Sequence, residues 1–525
     1  MRKFVWGQIG VMACLVLLAG CGSGGDSGNS SGDNNQQSSN GKPDPTMLVV
    51  ASGADPVTLD IHDTNDNATT RVARQIYDTL ITQTNDLELI PGLATEWEEV
   101  GENVYEFTLR KDVVFHNGEA FKASDVAYTL TRAADSPSIS HIVGAIDVEK
   151  IDIIDDYTIR IGTSDTFGPF LTHLAHPAVA MLSEKAVEEA GDDYGIKSAI
   201  GTGPFVFEEW VTGTHVNLRR FEDYWGEQAG VEQLQFRTIT DSSVRLIELE
   251  SGTIDIAYDI SPSDMATVES HDDLTLIATE NLGAEYLGLN VLNDTPLREV
   301  KVRQAIAHAI DVEAIIQTVY MNVGSHMAGP INELVFGFND QLKIREYNVE
   351  KAKDLLADAG YEAGGFNLSL YVGDNNPERI RVSQVVAEAL SNIGITVEVK
   401  QMEWGAFLDA AAVGEGDMFL LGWTTITTDA DYGMYPLFHS SSFGEAGNRT
   451  FYQNDRVDEL LDFARYSSEQ DERLTAYQEA QEIISEEAPW VFLQTRENVS
   501  GVRNWVQGFE HHPTGSYYLD TVTLD

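Results

Sequence analysis

Hydrophobic and polar positions follow two different patterns in the two halves of the chain. Residues 105–110 alternate with a period of two, which predicts a half-buried strand in an antiparallel sheet. Two further runs of this kind lie between residues 148 and 161, on either side of Asp155 and Asp156. These runs predict a strand-rich subdomain that is inserted over residues 85–199.

In the second half, strand patterns alternate with helix patterns. Asn348 can cap a helix over residues 347–360, and Gly360 can end it. Its apolar stripe consists of Ala352, Leu355, Leu356 and Ala359. Further strands are predicted at 366–372, 395–399 and 418–421, and further helices at 377–393 and 404–412. This βαβαβ order predicts a parallel sheet that is covered on both faces.

The length of the chain and the position of its loops predict a cleft. About 480 residues follow Thr46, too many for one ordinary core, so we expect at least two lobes. In open parallel sheets, ligands bind beyond the carboxyl ends of the strands. The loop over residues 422–436 follows the carboxyl end of the predicted strand 418–421. The loop over residues 53–67 follows the predicted strand 47–51 in the opposite half of the chain. The two lobes should therefore face each other through these loops.

The amino terminus has the pattern of an export signal. Arg2 and Lys3 precede an apolar run over residues 11–18, and small residues then lead to Cys21. The run is too short for a stable transmembrane helix. We expect a signal peptide over residues 1–20 and acylation of Cys21, which would anchor the protein by lipid; the alternative is a plain signal peptide that is cut elsewhere. The polar residues 21–45 are expected to form a flexible tether.

Composition narrows the classes of partner. The chain has 84 acidic and 33 basic residues and a formal net charge of −51, which argues against nucleic acid as a partner. We interpret the acidity as an aid to solubility in salty or alkaline surroundings. The two cysteines are Cys14 and Cys21, so we expect no disulfide in the exported body. Membrane contact is expected through the lipid anchor only.

Four groups of segments carry a resemblance to a known family. They are GLATEW at 92–97 with 105–118, GTGPF at 201–205 with DYWG at 223–226, Asn290 with VRQAIAHAID at 302–311, and 352–361 with 392–395. In these segments the chain resembles the extracellular solute-binding proteins of family 5. That family feeds peptide, dipeptide, glutathione and nickel ABC importers.

The resemblance implies a fold and its boundaries. The fold class is α/β, a two-lobed periplasmic-binding-protein-like fold of type II in its large variant with an extra subdomain. The first lobe would consist of residues 46–84, 200–285 and 498–525, with 85–199 as its insert. The second lobe would be 286–497, joined to the first by hinge strands. Closure of the lobes about the hinge would bury the ligand.

The resemblance also places residues 422–432 at the ligand loop of the family. Trp423 would form a flat wall, and Asp429 or Asp431 would pair with a ligand ammonium group. The other ligand-binding candidates in this loop are Thr424, Thr425, Thr427 and Tyr432. The alternative is a tryptophan buried under a polar surface turn.

Two departures from the family pattern bear on the ligand. The chain has Ile426 where the peptide and dipeptide branches have an aspartate, and residues 373–377 lack the arginine of the dipeptide branch. Residues 429–439 with 447–449 look more like the branch labelled glutathione-binding in Gram-positive bacteria. Glutathione carries one ammonium group and two carboxylates, and Arg449 and Arg71 are the candidates for the carboxylates. Each arginine could instead be a surface or lobe-stabilising residue.

The facing loop supplies the remaining candidates. Asp55, Pro56 and Asn67 are expected to close over the ligand from the first lobe, and the alternative is that they form solvent-facing turns. We expect no cofactor and no bound metal.

The leading hypothesis is a monomeric lipoprotein on the outer face of the cell membrane. It would bind a short peptide or a glutathione-like compound and deliver it unchanged to an ABC permease with its ATPase subunits. An exported enzyme is the rival, but the sequence has no metalloprotease or phosphate-loop motif, and its Gly-x-Ser-x-Gly match at residues 28–32 lies in the predicted tether rather than between a strand and a helix. The same fold could also serve as a receptor for an oligosaccharide or for nickel, with His439 near the loop, or as a sensor that reports ligand status.

Overall fold

The computed structural model describes residues 44–64 and 66–525. The predicted signal peptide, Cys21 and the predicted tether up to residue 43 lie outside the described residues. Within the described ranges, the helices are all too short or too polar to cross a membrane.

The strands are the framework of the molecule. They are β1 (Met47–Ser52), β2 (Ile81–Gln83), β3 (Leu89–Pro91), β4 (Ala94–Gly101), β5 (Val104–Leu109), β6 (Ile146–Asp155), β7 (Thr158–Thr163), β8 (Phe205–Val211), β9 (His215–Arg220), β10 (Gln233–Thr238), β11 (Ile256–Tyr258), β12 (Leu274–Leu289), β13 (Asn367–Gly373), β14 (Thr396–Met402), β15 (Met418–Thr424), β16 (Trp490–Arg503), β17 (Val506–Gln507) and β18 (Thr523–Leu524).

The helices cover and connect these strands. They are α1 (Asn67–Ile76), α2 (Ala123–Ala134), α3 (Ser140–Val143), α4 (Phe170–Leu174), α5 (Glu184–Ala190), α6 (Ser242–Ser251), α7 (Met265–Glu269), α8 (Val300–Ala309), α9 (Val312–Thr318), α10 (Val349–Asp358), α11 (Pro377–Ser391), α12 (Trp404–Ala412), α13 (Ala430–Phe438), α14 (Asp455–Arg465) and α15 (Gln470–Glu487).

One sheet of ten strands runs through the described body, in the order β14-β13-β15-β12-β16-β11-β1-β10-β9-β8. We call the β11-β1-β10-β9-β8 end the first lobe and the β14-β13-β15 end the second lobe. Strand β13 pairs in parallel with both β14 and β15, as the alternating pattern of the second half predicts. Strand β1 pairs in parallel with β10 and β11.

Strands β12 and β16 connect the two ends of the sheet. They are antiparallel neighbours over most of their length, with irregular pairing between Glu280 and Ala284. Before this irregularity along β12, the neighbouring part of β16 also pairs with β11. After it, β12 pairs with β15. The interrupted ladder therefore marks the place where the backbone passes from one lobe to the other.

The strand-rich insert forms a sheet of its own. Its strands lie in the order β4-β5-β7-β6, and each pair of neighbouring strands is antiparallel. Its buried residues Phe107 and Leu130 belong to the same apolar cluster as Leu461 and Tyr477 of the second lobe. The insert follows elements of the first lobe in sequence, but it packs against helices of the second lobe.

The helices and strands that were predicted from periodic patterns agree with the structure, but one predicted loop does not. Asn348 caps α10 by accepting a hydrogen bond from the Lys351 amide at 3.0 Å. Residues 422–436 were expected to form a loop, but β15 continues to Thr424 and α13 begins at Ala430. The cause is local, because the Asp429 carboxylate accepts the Asp431 amide at 2.9 Å and so caps a helix.

Candidate functional site

A cleft with a cavity volume of about 350 Å³ lies between the two lobes. The first lobe contributes residues that follow β1 and β11, and the second lobe contributes residues that follow β13, β14 and β15. These are carboxyl ends of strands, where open α/β sheets bind their ligands. The volume is at the lower end of the range for small-molecule sites, about 300–1,000 Å³.

Trp423 and Tyr432 form one wall of this cleft. The Trp423 indole N–H donates to the Tyr432 carbonyl at 3.1 Å, and the two ring centroids are 5.1 Å apart. The indole nitrogen is thus already bonded, and the tryptophan offers the cleft an aromatic surface rather than a donor. Thr424, the last residue of β15, lines the cleft beside it.

Arg449 is the unusual charge in the cleft wall. Its residue surface is only 8% exposed, yet within the described residues its guanidinium has neither a hydrogen-bond acceptor nor a carboxylate within 4.0 Å. Burial lowers the pKa of Arg449, although an arginine remains protonated in proteins. A buried charge without a partner is costly, so the position is suited to an anionic group from outside the chain.

Four more polar groups in the cleft wall lack partners among the described residues. They are Trp404 Nε1, Asn375 Oδ1, Gln494 Oε1 and the Tyr320 hydroxyl. The wall of the cleft therefore contains both unpaired donors and unpaired acceptors, each shielded from solvent. Sequence reasoning missed these residues, although a signal existed: Asn375 and Trp404 directly follow the carboxyl ends of β13 and β14.

The structure gives Asp429 and Asp431 partners outside the cleft. Arg465 donates to both oxygens of Asp431 at 2.9 and 2.7 Å, and Arg473 donates to both oxygens of Asp429 at 2.8 Å. Burial opposes ionisation of Asp431, but Arg465 holds the pKa of that carboxyl well below its usual range. The expected pairing of either carboxylate with a ligand ammonium group is thus replaced by pairing with an arginine of the same lobe.

These ion pairs lie where the insert meets the second lobe. His173 of the insert places its Nε2 3.3 Å from Asp431, and the His141 carbonyl accepts from Arg465 at 3.1 Å. The ring of His176 lies 4.8 Å from that of Tyr432. The aspartates of the loop therefore hold the insert against the back of the cleft wall.

Two threonines predicted in the ligand loop also lie away from the cleft. Thr425 and Thr427 are buried, and neither lines the cavity. The Thr425 amide donates to the Leu282 carbonyl at 3.0 Å, which continues the contact between this segment and β12.

The candidates from the first lobe divide into two groups. Asn67 and Arg71 of α1 line the cleft, whereas Asp55 and Pro56 do not. Asp55 instead accepts hydrogen bonds from Gly213 at 2.7 Å and Thr238 at 2.9 Å, so it ties loops within the first lobe.

Arg71 reaches the cleft with its charge already paired. It donates to both oxygens of Asp259, at 2.7 and 3.0 Å, and to the Gly515 carbonyl at 3.0 Å. Burial opposes ionisation of Asp259, but Arg71 holds the pKa of this carboxyl well below its usual range. The Asp259 side chain is 46% exposed and lines the cleft, so it presents a carboxylate rather than a free cation.

A second arginine cluster lies at the crossing between the lobes. Glu285 accepts two hydrogen bonds from Arg379 at 2.8 Å and lies 3.0 Å from Arg496. A Cβ at Gly422 would lie 2.7 Å from the Arg379 guanidinium and 2.9 Å from the Glu285 carboxylate. Glycine at this position therefore allows the cluster to pack against β15, and all three charged residues of the cluster line the cleft.

The described residues contain no group of three or more histidine, cysteine, aspartate or glutamate side chains arranged to hold a metal ion. His439, the candidate for a nickel receptor, does not line the cleft. Its Nδ1 is 2.7 Å from the Ser441 hydroxyl, and its ring stacks on Tyr435 with centroids 4.2 Å apart.

Known proteins are similar to this chain over most of its length. The glutathione-binding protein GsiB of Pectobacterium atrosepticum is 31% identical over 487 residues, which cover 91% of this chain and 94% of that protein. The peptide-bound structure of DppA from Helicobacter pylori is 30% identical with a TM-score of 0.85, and covers 91% of this chain and 98% of its own. The dipeptide-binding protein of Pseudoalteromonas sp. SM9913 in complex with Met-Leu is 26% identical with a TM-score of 0.86, over 91% and 100% of the two chains.

These likenesses confirm the predicted two-lobed periplasmic-binding-protein-like fold. The model of the bacterial extracellular solute-binding proteins, family 5 Middle, matches residues 88–445, which is more than half of the chain. The chain belongs to the bacterial extracellular solute-binding proteins of family 5, proteins that bind solutes outside the cytoplasm.

Proposed function

We propose that this protein is the solute-binding component of an ABC importer, and that its cleft captures a short peptide or glutathione. The observation that carries the choice of ligand is Arg449, a buried guanidinium without a carboxylate partner among the described residues. A ligand carboxylate would supply the missing anion through a bidentate pair. The name of the relative GsiB agrees with a ligand that has two carboxylates.

The opposite charge of the ligand would be bound by the first lobe. The exposed edge of Asp259 stays ionised because Arg71 pairs with it, and it faces the same cavity as Arg449. We assign the ligand ammonium group to Asp259 in place of Asp429 and Asp431. The free groups of Trp404 and Gln494 would bond the peptide main chain between these ends.

The cellular setting completes the proposal. Acylation of Cys21 would anchor the protein to the outer face of the cell membrane, and residues 22–45 would tether the body to that surface. The monomeric protein would pass its ligand unchanged to a permease and its ATPase subunits. Delivery requires that the permease distinguish the closed, loaded lobes from the open ones.

Calorimetric titration of the full chain with reduced glutathione and with trialanine tests the ligand class. We expect at least one of the two to bind, and we expect Arg449→Met to weaken that binding about 30-fold or more because one partner of a buried charge pair is lost. Arg219→Met is the matched control, since Arg219 lies exposed on β9 far from the cleft lining. Binding that is equally tight in the Arg449→Met protein would contradict the assignment.

A further inference from the structure

A second cavity, with a volume of about 550 Å³, lies away from the interlobe cleft. It is formed where the end of α1, the β2–β3 hairpin, residues 224–225 and the segment 508–521 meet. Among the described residues, none lines both this cavity and the cleft. Its volume also falls in the range of small-molecule sites.

One side of this cavity offers donors that the described residues leave unused. Arg74 is 9% exposed, and no carboxylate of the described residues lies within 4.0 Å of its guanidinium. Its contacts are a 3.3 Å hydrogen bond to the Ser516 carbonyl and the ring of Tyr518, at 4.4 Å from the centroid. Gln83, 3% exposed, has an amide nitrogen with no acceptor in the described chain.

Tyr518 contacts the Arg74 side chain and the main chain of Gln83. Its ring carries the Arg74 guanidinium, and its hydroxyl donates to the Gln83 carbonyl at 3.3 Å. The same hydroxyl lies 2.7 Å from Thr82 Oγ1. The Arg74 guanidinium therefore packs on an aromatic residue that is itself fixed by hydrogen bonds.

Carboxylates line the same cavity without pairing with Arg74. Asp78 is fixed by Trp225 Nε1 at 2.8 Å and Thr202 Oγ1 at 2.9 Å, and Asp520 and Glu510 also line the cavity. None of these three forms an ion pair within the described residues. Burial raises the pKa of Asp78 to about 6, so this carboxylate is mostly ionised above neutral pH.

Apolar surface lies between the two kinds of charge. Ile90, Pro177, Pro204 and the Tyr224–Trp225 pair contribute to the lining, and the two rings of the pair are 5.3 Å apart. The cavity therefore combines an unpaired cation, unpaired carboxylates and an aromatic wall. A ligand that complements all three carries a carboxylate, an ammonium group and a flat apolar group.

We propose that this cavity is a second binding site, and that it takes a small zwitterion with an aromatic side chain, of the aromatic amino-acid class. Arg74 and Gln83 bind its carboxylate, and the Asp78, Asp520 and Glu510 side binds its ammonium group. The ring packs against Trp225 and the prolines. The site is independent of the ligand in the interlobe cleft.

The test uses the full chain and L-phenylalanine, with binding measured by calorimetry and by saturation-transfer NMR above neutral pH. We expect L-phenylalanine to bind the unmodified protein, the Arg449→Met protein and the Arg219→Met protein with equal affinity. Arg74→Met should weaken binding about tenfold or more, since a charged hydrogen-bond partner is removed. Retained binding in the Arg74→Met protein, or loss of binding in the Arg449→Met protein, would overturn the proposal.

Two half-ligands test the site without any substitution. Phenethylamine lacks the carboxylate and 3-phenylpropionate lacks the ammonium group, and we expect each to bind the unmodified protein about tenfold more weakly than L-phenylalanine. Equal binding of all three compounds, or failure of L-phenylalanine to bind at millimolar concentration, would overturn the proposal. If L-phenylalanine fails to bind while glutathione or trialanine binds in an Arg449-dependent way, the second site is excluded and the proposed function still stands.

Discussion

Two regions of the second lobe contain buried arginines that differ in their partners. At the contact with the insert, Arg465 and Arg473 each meet a carboxylate, Asp431 or Asp429, within hydrogen-bond distance. In the cleft wall, Arg449 is also buried but meets no carboxylate among the described residues. The same side chain therefore stabilises packing where the fold supplies acceptors for it, and we propose that it binds a ligand where the fold supplies none.

The largest expected effect comes from breaking a paired arginine. Asp431→Asn leaves the Arg465 guanidinium buried without its anion, and loss of one member of a buried pair costs roughly 3–5 kcal/mol. Chemical denaturation of the full chain should show this loss in the free energy of unfolding. Asp471→Asn, an exposed change in α15, is the control and should stay within about 0.5 kcal/mol.

The matched substitution at the unpaired arginine should behave in the opposite way. Arg449→Met removes a buried charge that has no partner among the described residues, so the free energy of unfolding should stay equal or rise. A fall as large as that of Asp431→Asn would mean that Arg449 is a structural residue. The contrast between the two regions would then disappear.

A smaller expected effect is the pH dependence of stability at the contact with the insert. Burial keeps His141 and His176 neutral at the contact with the insert: it lowers the pKa of His141 to about 3 and that of His176 well below its ordinary value. In the unfolded chain these groups titrate near 6.5. Below that pH the unfolded state binds more protons, so stability is lost as the pH falls, by about 1.4 kcal/mol per pH unit for each histidine.

His176→Asn isolates this contribution. Asparagine can keep the acceptor that His176 Nδ1 offers to the Ala178 amide, at 3.1 Å, while the titrating ring is removed. As the pH falls from about 6.5 to 5, the slope of unfolding free energy against pH should become smaller than in the unmodified protein by an amount that approaches about 1.4 kcal/mol per unit. Equal slopes would show that His176 is not held neutral at this contact.

Periodic elements could be predicted from the sequence because their cause is local. The stripe and cap of α10, the alternating strands of the insert and the parallel strands of the second lobe all follow from neighbouring residues. Six candidates, Asn67, Arg71, Trp423, Thr424, Tyr432 and Arg449, line the observed cleft. Whether they contact a ligand remains a prediction.

The pairing of charges could not be predicted, because the partners are distant in sequence. Asp431 pairs with Arg465 and Asp429 pairs with Arg473, and both arginines lie on later helices. The sequence of residues 422–432 alone therefore suggests that these carboxylates are free. Arg71 likewise meets Asp259, which follows β11. Only the folded chain shows which charges already have a partner within it.

The most direct test of the central claim is a thermodynamic cycle between Arg449 and a ligand carboxylate. Calorimetry would compare glutathione with each of its two monoamides, on the unmodified protein and on the Arg449→Met protein. We expect one monoamide to bind the unmodified protein about 30-fold more weakly than glutathione, roughly 2 kcal/mol, and to bind the Arg449→Met protein as glutathione does. Additive losses for both monoamides would contradict the claim that Arg449 binds a ligand carboxylate.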